Sequence, residues 1–498
     1  MRITPIALAA SLALACGLAA AQGNDPLRDT VAKALAQNPE VAARANAWRA
    51  SREAVTAGRA GWMPRVDLNA DIGRDRDTIT SRTPENQTLN RTGISLQLSQ
   101  LLWDGLGTKN EVTRLGHEQL SRYFELLDTT EQTALEAARA HYDVLRFRRL
   151  VALAEDNYVQ HRSAFTQIQK RVEARVGRGV DLEQANARLV LAESNLATEV
   201  ANLHDVTARY QRIVGEPPAN PLATPALMAT GLPGDANAAI GTALQRSPAV
   251  SASIETLRAA RASATTRDAG FQPRVEARVR AGGGRNYESV LDRERAATAE
   301  IVLNWNLFNG GADRARVRQQ VGLMNQAADV RDRVCRDTRQ VAAIAFNDTR
   351  KLAELIALLE RNTLSIEKAR DAYRQQFDIN QRSLLDLLNA ENEVYTARRA
   401  LANAQFDQGV AHVRTHAAMN QLTSQLGIAR AETASEAAEW AAGSDAAERC
   451  AVQALVVPTT PRSDLDARAQ QIVDRAPPVP APAPAPAPAP SPSPAPGR

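Results

Sequence analysis

The sequence predicts a mainly α fold with a membrane β-barrel, built from two structural repeats. Each repeat carries a long antiparallel coiled-coil hairpin and two of the chain's four β-strands. Three observations lead there. Ala312–Asn389 contains no proline and one glycine, Gly322, and its apolar or small positions Leu352, Leu355, Leu359, Asn362, Ile366, Ala369 and Tyr373 step by threes and fours. That spacing is the seam of a left-handed coiled coil. Secondly, the chain repeats itself: Ala34–Val41 matches Ala243–Val250, and Ala60-Gly61-Trp62-Met63-Pro64-Arg65-Val66 matches Ala269-Gly270-Phe271-Gln272-Pro273-Arg274-Val275 at the same offset of 209 residues. Thirdly, four short segments switch to a period of two, the signature of strands.

The elements follow in order. Arg2 followed by the apolar Ile6–Leu18 reads as a secretory signal with cleavage after Ala21, too short to anchor the chain in a bilayer. Cys16 inside it offers lipoprotein acylation as an alternative, although Ala13 is smaller than the aliphatic such a signal uses. Leu27–Ala60 is predicted helical with a break at Pro39. Val66, Leu68, Ala70 and Ile72 then alternate with polar neighbours. A polar loop over Arg74–Arg91 follows, and Ile94, Leu96 and Leu98 alternate again. The second copy has Val275, Ala277 and Val279, a Gly-rich loop over Gly282–Arg293, then Ala299, Ile301, Leu303 and Trp305. These strands are expected to run about 8–10 residues, close to what a tilted strand needs to cross a bilayer. Trp62, Trp103, Phe271 and Phe308 fall where helices give way to strands, positions that suit an aromatic girdle.

Long helices close each copy. Helix over Ala312–Phe377 would be roughly 100 Å long; the pattern breaks at Asp378–Arg382 and resumes at Leu384, so a second long helix returns antiparallel to the first. The duplicated anchors Leu102-Trp103-Asp104-Gly105 with Leu307-Phe308-Asn309-Gly310, and Asn186-Ala187-Arg188 with Asn389-Ala390-Glu391, extend the repeat through the hairpins. The organisation is therefore a signal over 1–21, a first repeat over 22–215, a Pro-rich linker over 216–235, a second repeat over 236–427, an Ala-rich tail over 428–475 with a helical patch near Ala431–Trp440, and a Pro/Ala-rich tail over 476–498. Four strands cannot close a barrel, and open edges cannot face lipid. Three copies supply twelve strands and twelve helices, enough for a barrel continued by a helical cylinder.

Composition excludes other classes. The net charge is +4 over 498 residues with charges interspersed, so no basic block marks nucleic-acid binding. Aromatic content is 4%, which suits coiled coil better than compact cores. There is no phosphate loop, nucleophile motif or metal-ligand spacing, and neither enzyme activity nor a cofactor is expected. His412 and His416 are spaced i, i+4 without an intervening motif glutamate and read as a surface pair. Cys335 reads as a small residue in a helix packing face, with a disulfide to Cys450 as the alternative.

The duplicated Pro-Arg-Val strand starts, Asn38-Pro39, and above all Ala372–Asn392 (AYRQQFDINQRSLLDLLNAEN) resemble the TolC family of outer-membrane channels, most closely its type I secretion branch. The resemblance covers about Leu27–Leu426. It implies a homotrimer with a 12-stranded barrel in outer-membrane lipid and a 12-helix periplasmic tunnel. Its expected partners are a periplasmic adaptor (membrane fusion) protein and an inner-membrane ABC or other transporter. Export of protein is the implied role, with small-molecule efflux as the alternative and a soluble periplasmic coiled-coil scaffold as the competing class. The tips expected to meet the adaptor are Val176-Gly177-Arg178, which keeps the family's motif, and Ile379-Asn380-Gln381, which has Asn where the family has Gly. The periplasmic gate maps onto five residues. Phe377 stands where the family has a tyrosine bonded to an acidic residue, here Glu183. Arg382 matches an arginine tying neighbouring protomers. Asp386 and Asn389 stand where two acidic rings can stack, so only one ring remains acidic here.

Overall fold

The computed structural model describes residues 25–81, 83–286, 291–379, 381–428, 448–453 and 460–475. The predicted signal with Cys16, the predicted patch at Ala431–Trp440, Asn380 and the Pro/Ala tail lie outside them. The chain divides into two units, Met1–Gln453 and Ala454–Arg498. The second is described by one helix, Arg462–Arg475.

In the first unit the elements are α1 (Pro26–Gln37), α2 (Pro39–Arg59), β1 (Arg65–Thr78), β2 (Asn86–Trp103), α3 (Gly107–Glu173) and α4 (Gly179–Val214). The second copy has α5 (Ala236–Arg246), α6 (Pro248–Asp268), β3 (Arg274–Arg285), β4 (Arg293–Asn304), α7 (Ala312–Asp378), α8 (Leu384–Ala418) and the short α9 (Leu422–Gln425). The duplication read from sequence is a duplication of caps. Asn38 ends α1 and its side chain accepts the Glu40 N–H at 2.9 Å, with Pro39 opening α2. Ser247 ends α5 and accepts the Val250 N–H at 3.3 Å, with Pro248 opening α6. Each pair is a helix stop and a helix start in one residue. The other matched anchor is the strand-to-helix turn. Asp104 accepts the backbone N–H and hydroxyl of Thr108 at 2.7 and 2.6 Å, and Asn309 accepts the Asp313 N–H at 3.4 Å. Gly105, Gly310 and Gly311 have positive φ at these turns. A Cβ on Gly105 would stand 2.4 Å from that of Gln272, so the turn of one copy sits on the other.

The helices differ from expectation in one respect. α3 and α7 are both 67 residues, about 100 Å at ~1.5 Å per residue. The returning helices α4 and α8 have 36 and 35 residues, and so reach only about half as far. The barrel-side halves of α3 and α7 are covered instead by α2 and α6. Four helices per chain thus run through each level. The seam positions Leu352, Leu355, Leu359, Ile366 and Tyr373 are half-buried, while Asn362 and Ala369 face out and Thr363 is buried beside them. The main core lies where α1 crosses α3, α4 and α8. It contains Leu27 and Val31, the small Ala134, Ala137 and Ala138 that let α1 approach closely, and Tyr210, Val413 and Leu422.

Three further expectations are corrected. His412 and His416 are not a surface pair: His416 is fully buried and His412 nearly so. The Nε2–H of His416 donates to the Met228 carbonyl at 3.0 Å, and that of His141, also fully buried, to the Ala223 carbonyl at 3.1 Å. The two rings hold the interdomain linker against the core. Cys335 does form a disulfide with Cys450, with Cα atoms 5.8 Å apart. Residues 448–453 lie along α5, α6 and α7, with Glu448 bound to Arg258 and Arg261 and Arg449 bound to the Leu244 carbonyl and Ser251. No sequence spacing shows that a segment 115 residues away returns to this helix. Finally, the strands are longer than expected, with 14, 18, 12 and 12 residues. The loops shrink to 79–85 and 286–292 because Gly282, Gly283 and Gly284 are strand residues. Their neighbours approach too closely for a side chain: a Cβ on Gly284 would lie 1.9 Å from the Thr92 carbonyl oxygen.

The candidate channel sheet and periplasmic tip

The four strands form one antiparallel sheet in the order β1-β2-β3-β4. Pairs such as Val66↔Leu98, Leu98↔Val279 and Val279↔Ala299 place the apolar set on one face. Val66, Leu68, Ile72, Ile94, Leu96 and Ile301 are exposed there. The other face carries charges: Arg91 binds Asp71 and Asp75 at 3.0 and 3.3 Å. A sheet whose exposed face is apolar and whose opposite face is charged is arranged for lipid outside and water inside. Among the described residues no helix is long and apolar enough to cross a membrane.

All four predicted girdle aromatics sit at the helix end of this sheet and are exposed. Trp62 and Phe271 end matching 3₁₀ turns, Ala60–Trp62 and Ala269–Phe271. Gln100 donates to the Trp62 carbonyl at 2.8 Å, and Trp305, its counterpart in the repeat, donates to the Phe271 carbonyl at 3.1 Å. A bulge between Leu101 and Trp103 turns Trp103 at the end of β2. Phe308 follows β4.

At the opposite end the two hairpin tips share one core. Ile168, Ala185, Phe377, Leu384, Leu387 and Leu388 come from α3, α4, α7 and α8. The first tip is closed by a Schellman motif: Val176 N–H bonds to the Arg171 carbonyl and Arg175 N–H to the Val172 carbonyl, both at 2.9 Å. Arg175 takes the left-handed backbone, with φ of 59°. Gly177 is needed for space, because a Cβ there would lie 2.9 Å from the Val172 nitrogen. Val176 is thereby thrust outward at 78% exposure, and Ile379 is presented similarly at the second tip at 63%. Gly177, Arg178 and Gln381 complete the described tip surface. Ser383 starts α8 by accepting the Asp386 N–H at 3.2 Å and donating its hydroxyl to the Asp386 carboxylate at 2.9 Å. That hydroxyl, with Arg382 nearby, holds the Asp386 carboxyl below its ordinary pKa.

The five predicted gate residues do not form one cluster within the chain. Arg382 lies over the Tyr373 ring at 4.4 Å, donates to Gln376 at 3.0 Å and stands 3.6 Å from Asp386. Phe377 points into the tip core, capped by the Arg171 guanidinium 5.1 Å from its ring centre. Glu183 is exposed near the start of α4, just past its first turn. Asn389 accepts from Arg188 at 2.7 Å, joining α8 to α4.

Sequence reasoning missed the charges just above the tip. Glu391 is buried at 7% exposure between Arg370 at 3.0 Å and Arg374 at 2.5 Å, and Arg374 also reaches Gln160 on α3 at 2.9 Å. Glu199, at 2% exposure, accepts a hydrogen bond from Arg399 at 2.8 Å and pairs with its guanidinium at 2.7 Å. A signal was available: Arg188 and Glu391 are equivalent positions of the repeat with opposite charge.

The sequence profile of outer membrane efflux proteins matches residues 30–216 and 239–421. The chain belongs to the outer membrane efflux protein family, the TolC family. It is 24% identical over 410 residues to the outer membrane efflux protein BepC of Brucella suis, covering 81% of this chain and 88% of that one. It is also 24% identical over 405 residues to the alkaline protease secretion protein AprF of Pseudomonas aeruginosa, covering 76% and 81%. The Campylobacter jejuni CmeC outer membrane channel superposes with a TM-score of 0.73 over 84% of this chain and 89% of its own, at 14% identity. Family membership places the protein in the outer membrane as a transport channel with a large helical periplasmic portion. It overturns the soluble-scaffold reading. Channels of this family generally act as trimers with adaptors and inner-membrane transporters.

Proposed function

We propose that three copies form the exit duct of a tripartite type I secretion system, exporting protein through a twelve-stranded barrel and a twelve-helix periplasmic tunnel. The observation that carries the assembly is the sheet itself. It has one apolar face and two unpaired edge strands, β1 and β4. Unpaired backbone groups cannot remain in lipid, so β4 of one copy must pair with β1 of the next. Closure turns the charged face into a water-filled lumen.

The tip supplies the gate and the docking surface. The exposed Val176, Arg178, Ile379 and Gln381, with the half-buried Gly177, lie at the tips beyond the shared core, and Asn380 completes the surface expected to meet the adaptor. Opening separates the α7–α8 hairpin from α3 and α4. Among the bonds that resist this are those of Arg188 to Asn389, Arg399 to Glu199, Arg374 to Gln160 and Arg146 to Asp407. An adaptor opens the tunnel by binding the separated arrangement more tightly than the closed one. Arg382 and Asp386 face the constriction, where a single acidic ring gives modest cation preference. Protein cargo is supported by the Ala372–Asn392 run and by the similarity to the protease secretion protein. Small-molecule efflux is supported by the similarity to BepC.

Deleting the gene decides between them. Loss of a secreted protein from the culture supernatant with unchanged susceptibility to antimicrobials and dyes supports secretion. A normal supernatant with increased susceptibility supports efflux.

A further inference from the structure

The strands divide their acidic residues from one set of arginines completely. On the apolar face the pairing continues past Ile72, Ile94 and Gly283 into Arg74 and Arg76 of β1, Arg285 of β3, and Arg293 and Arg295 of β4. All five are exposed. None has a carboxylate partner among the described residues. The acidic strand residues with described side chains, Asp67, Asp71, Asp75, Glu276, Glu294 and Glu300, all lie on the opposite face by the same register. Arginines on that lumen face are neutralised, as Arg91 is by Asp71 and Asp75, and Arg274 and Arg278 are by Glu276. The outward five are not.

Their placement sharpens the point. The helices join the sheet at Arg65, Trp103, Arg274 and Asn304, so the loops 79–85 and 286–292 mark the far end. The arginines follow the apolar band at that end. Glu85 and Asp292 lie in the loops beyond and have no ion pair with these arginines among the described residues. Arg285 and Arg293 are directly opposed across the β3–β4 ladder. Like charges in that position repel. A patch that holds such a pair without a carboxylate is matched to an external anion.

We propose that this outward arginine patch binds the phosphates of an anionic glycolipid headgroup in the outer leaflet. The proposal rests on the outer-membrane channel reading and adds its lipid partner. The apolar band receives the acyl chains, and the guanidinium forks meet phosphate oxygens at the depth where headgroups begin. Trimer closure sets Arg293 and Arg295 of one copy near Arg74 and Arg76 of the next, making a continuous belt.

The test uses the purified full-length trimer and two probes, diphosphorylated lipid A and the same lipid with both phosphates removed. Bound lipid is counted by native mass spectrometry. Binding should weaken about tenfold or more on removing the phosphates, and similarly in the R74Q/R76Q/R285Q/R293Q/R295Q variant. Excess inorganic phosphate should not displace the lipid. Equal binding of both lipids, equal binding by the variant, or displacement by free phosphate overturns the proposal. If the variant does not assemble, the two-lipid comparison on the unaltered protein decides alone. Failure of that protein to insert into lipid vesicles would overturn the channel reading and the proposal together. Insertion without phosphate preference overturns the proposal alone.

Discussion

Replacing Arg399 by leucine isolates a polar tie between the two hairpins whose carboxylate is buried. Arg399 on α8 gives one hydrogen bond to an oxygen of Glu199 on α4 at 2.8 Å, and a second guanidinium nitrogen stands 2.7 Å from the same oxygen as an ion pair. Glu199 is 2% exposed, and among the described residues its other oxygen receives only the Asn202 amide at 3.3 Å. The arginine is 45% exposed and would regain water if its partner were lost; the carboxylate cannot. The cost of Arg399→Leu is therefore a buried charge without a counterion, about 3 kcal/mol per subunit at the low end of the usual range. Unfolding entropy of roughly 2 cal/mol/K per residue makes that a fall of about 3 °C in the midpoint of a subunit this large. The assay is loss of helical circular dichroism on heating the detergent-solubilised protein at fixed concentration. The decisive companion is Glu199→Leu/Arg399→Leu, which removes both charges and should recover most of the loss. An unchanged midpoint in the single variant, or a double variant no more stable than the single, would refute the reasoning.

Four other outcomes are expected. Arg382→Ser removes the stack on Tyr373 and the contacts to Gln376 and Asp386, and should raise the closed-state conductance in planar bilayers; an unchanged conductance removes Arg382 from the gate. Asp386→Asn should reduce cation preference in reversal-potential measurements. Because the Ser383 hydroxyl lowers the Asp386 pKa, the unaltered channel should keep that preference as pH falls through the ordinary carboxylate range and lose it only below. Burial lowers the pKa of His141 and His416, so the unfolded chain binds more protons below the ordinary histidine value of about 6.5. Stability from these rings is present above that pH and declines below it, and amide exchange over 216–235 should quicken between pH 7.5 and 5 more than in the tip helices. Cys450→Ser should free residues 448–453 for proteolysis at Arg449, and reduction of the unaltered protein should do the same; equal protease resistance would show that Glu448 and Arg449 suffice to hold the segment.

The linear sequence determined the parts of this protein whose signals are local. Periods of two and of three to four, Asn38-Pro39 with Ser247-Pro248, and Asp104-Gly105 with Asn309-Gly310 each act within a few residues. Strands, helix breaks and the duplication were therefore all legible. The Ala372–Asn392 run carried the family. Contacts across the chain were not legible, because nothing local distinguishes a buried charge with a distant partner from a solvated one. Only the tertiary structure decided that α4 and α8 stop halfway and leave the remainder to α2 and α6. The same holds for the return of Cys450 to Cys335, for His416 reaching into the linker, and for Glu199 meeting Arg399. Gly282–Gly284 looked like a loop because glycine usually marks a turn. They are strand because the facing backbones of β2 and β4 come too close for any side chain, a constraint that exists only once the sheet has formed.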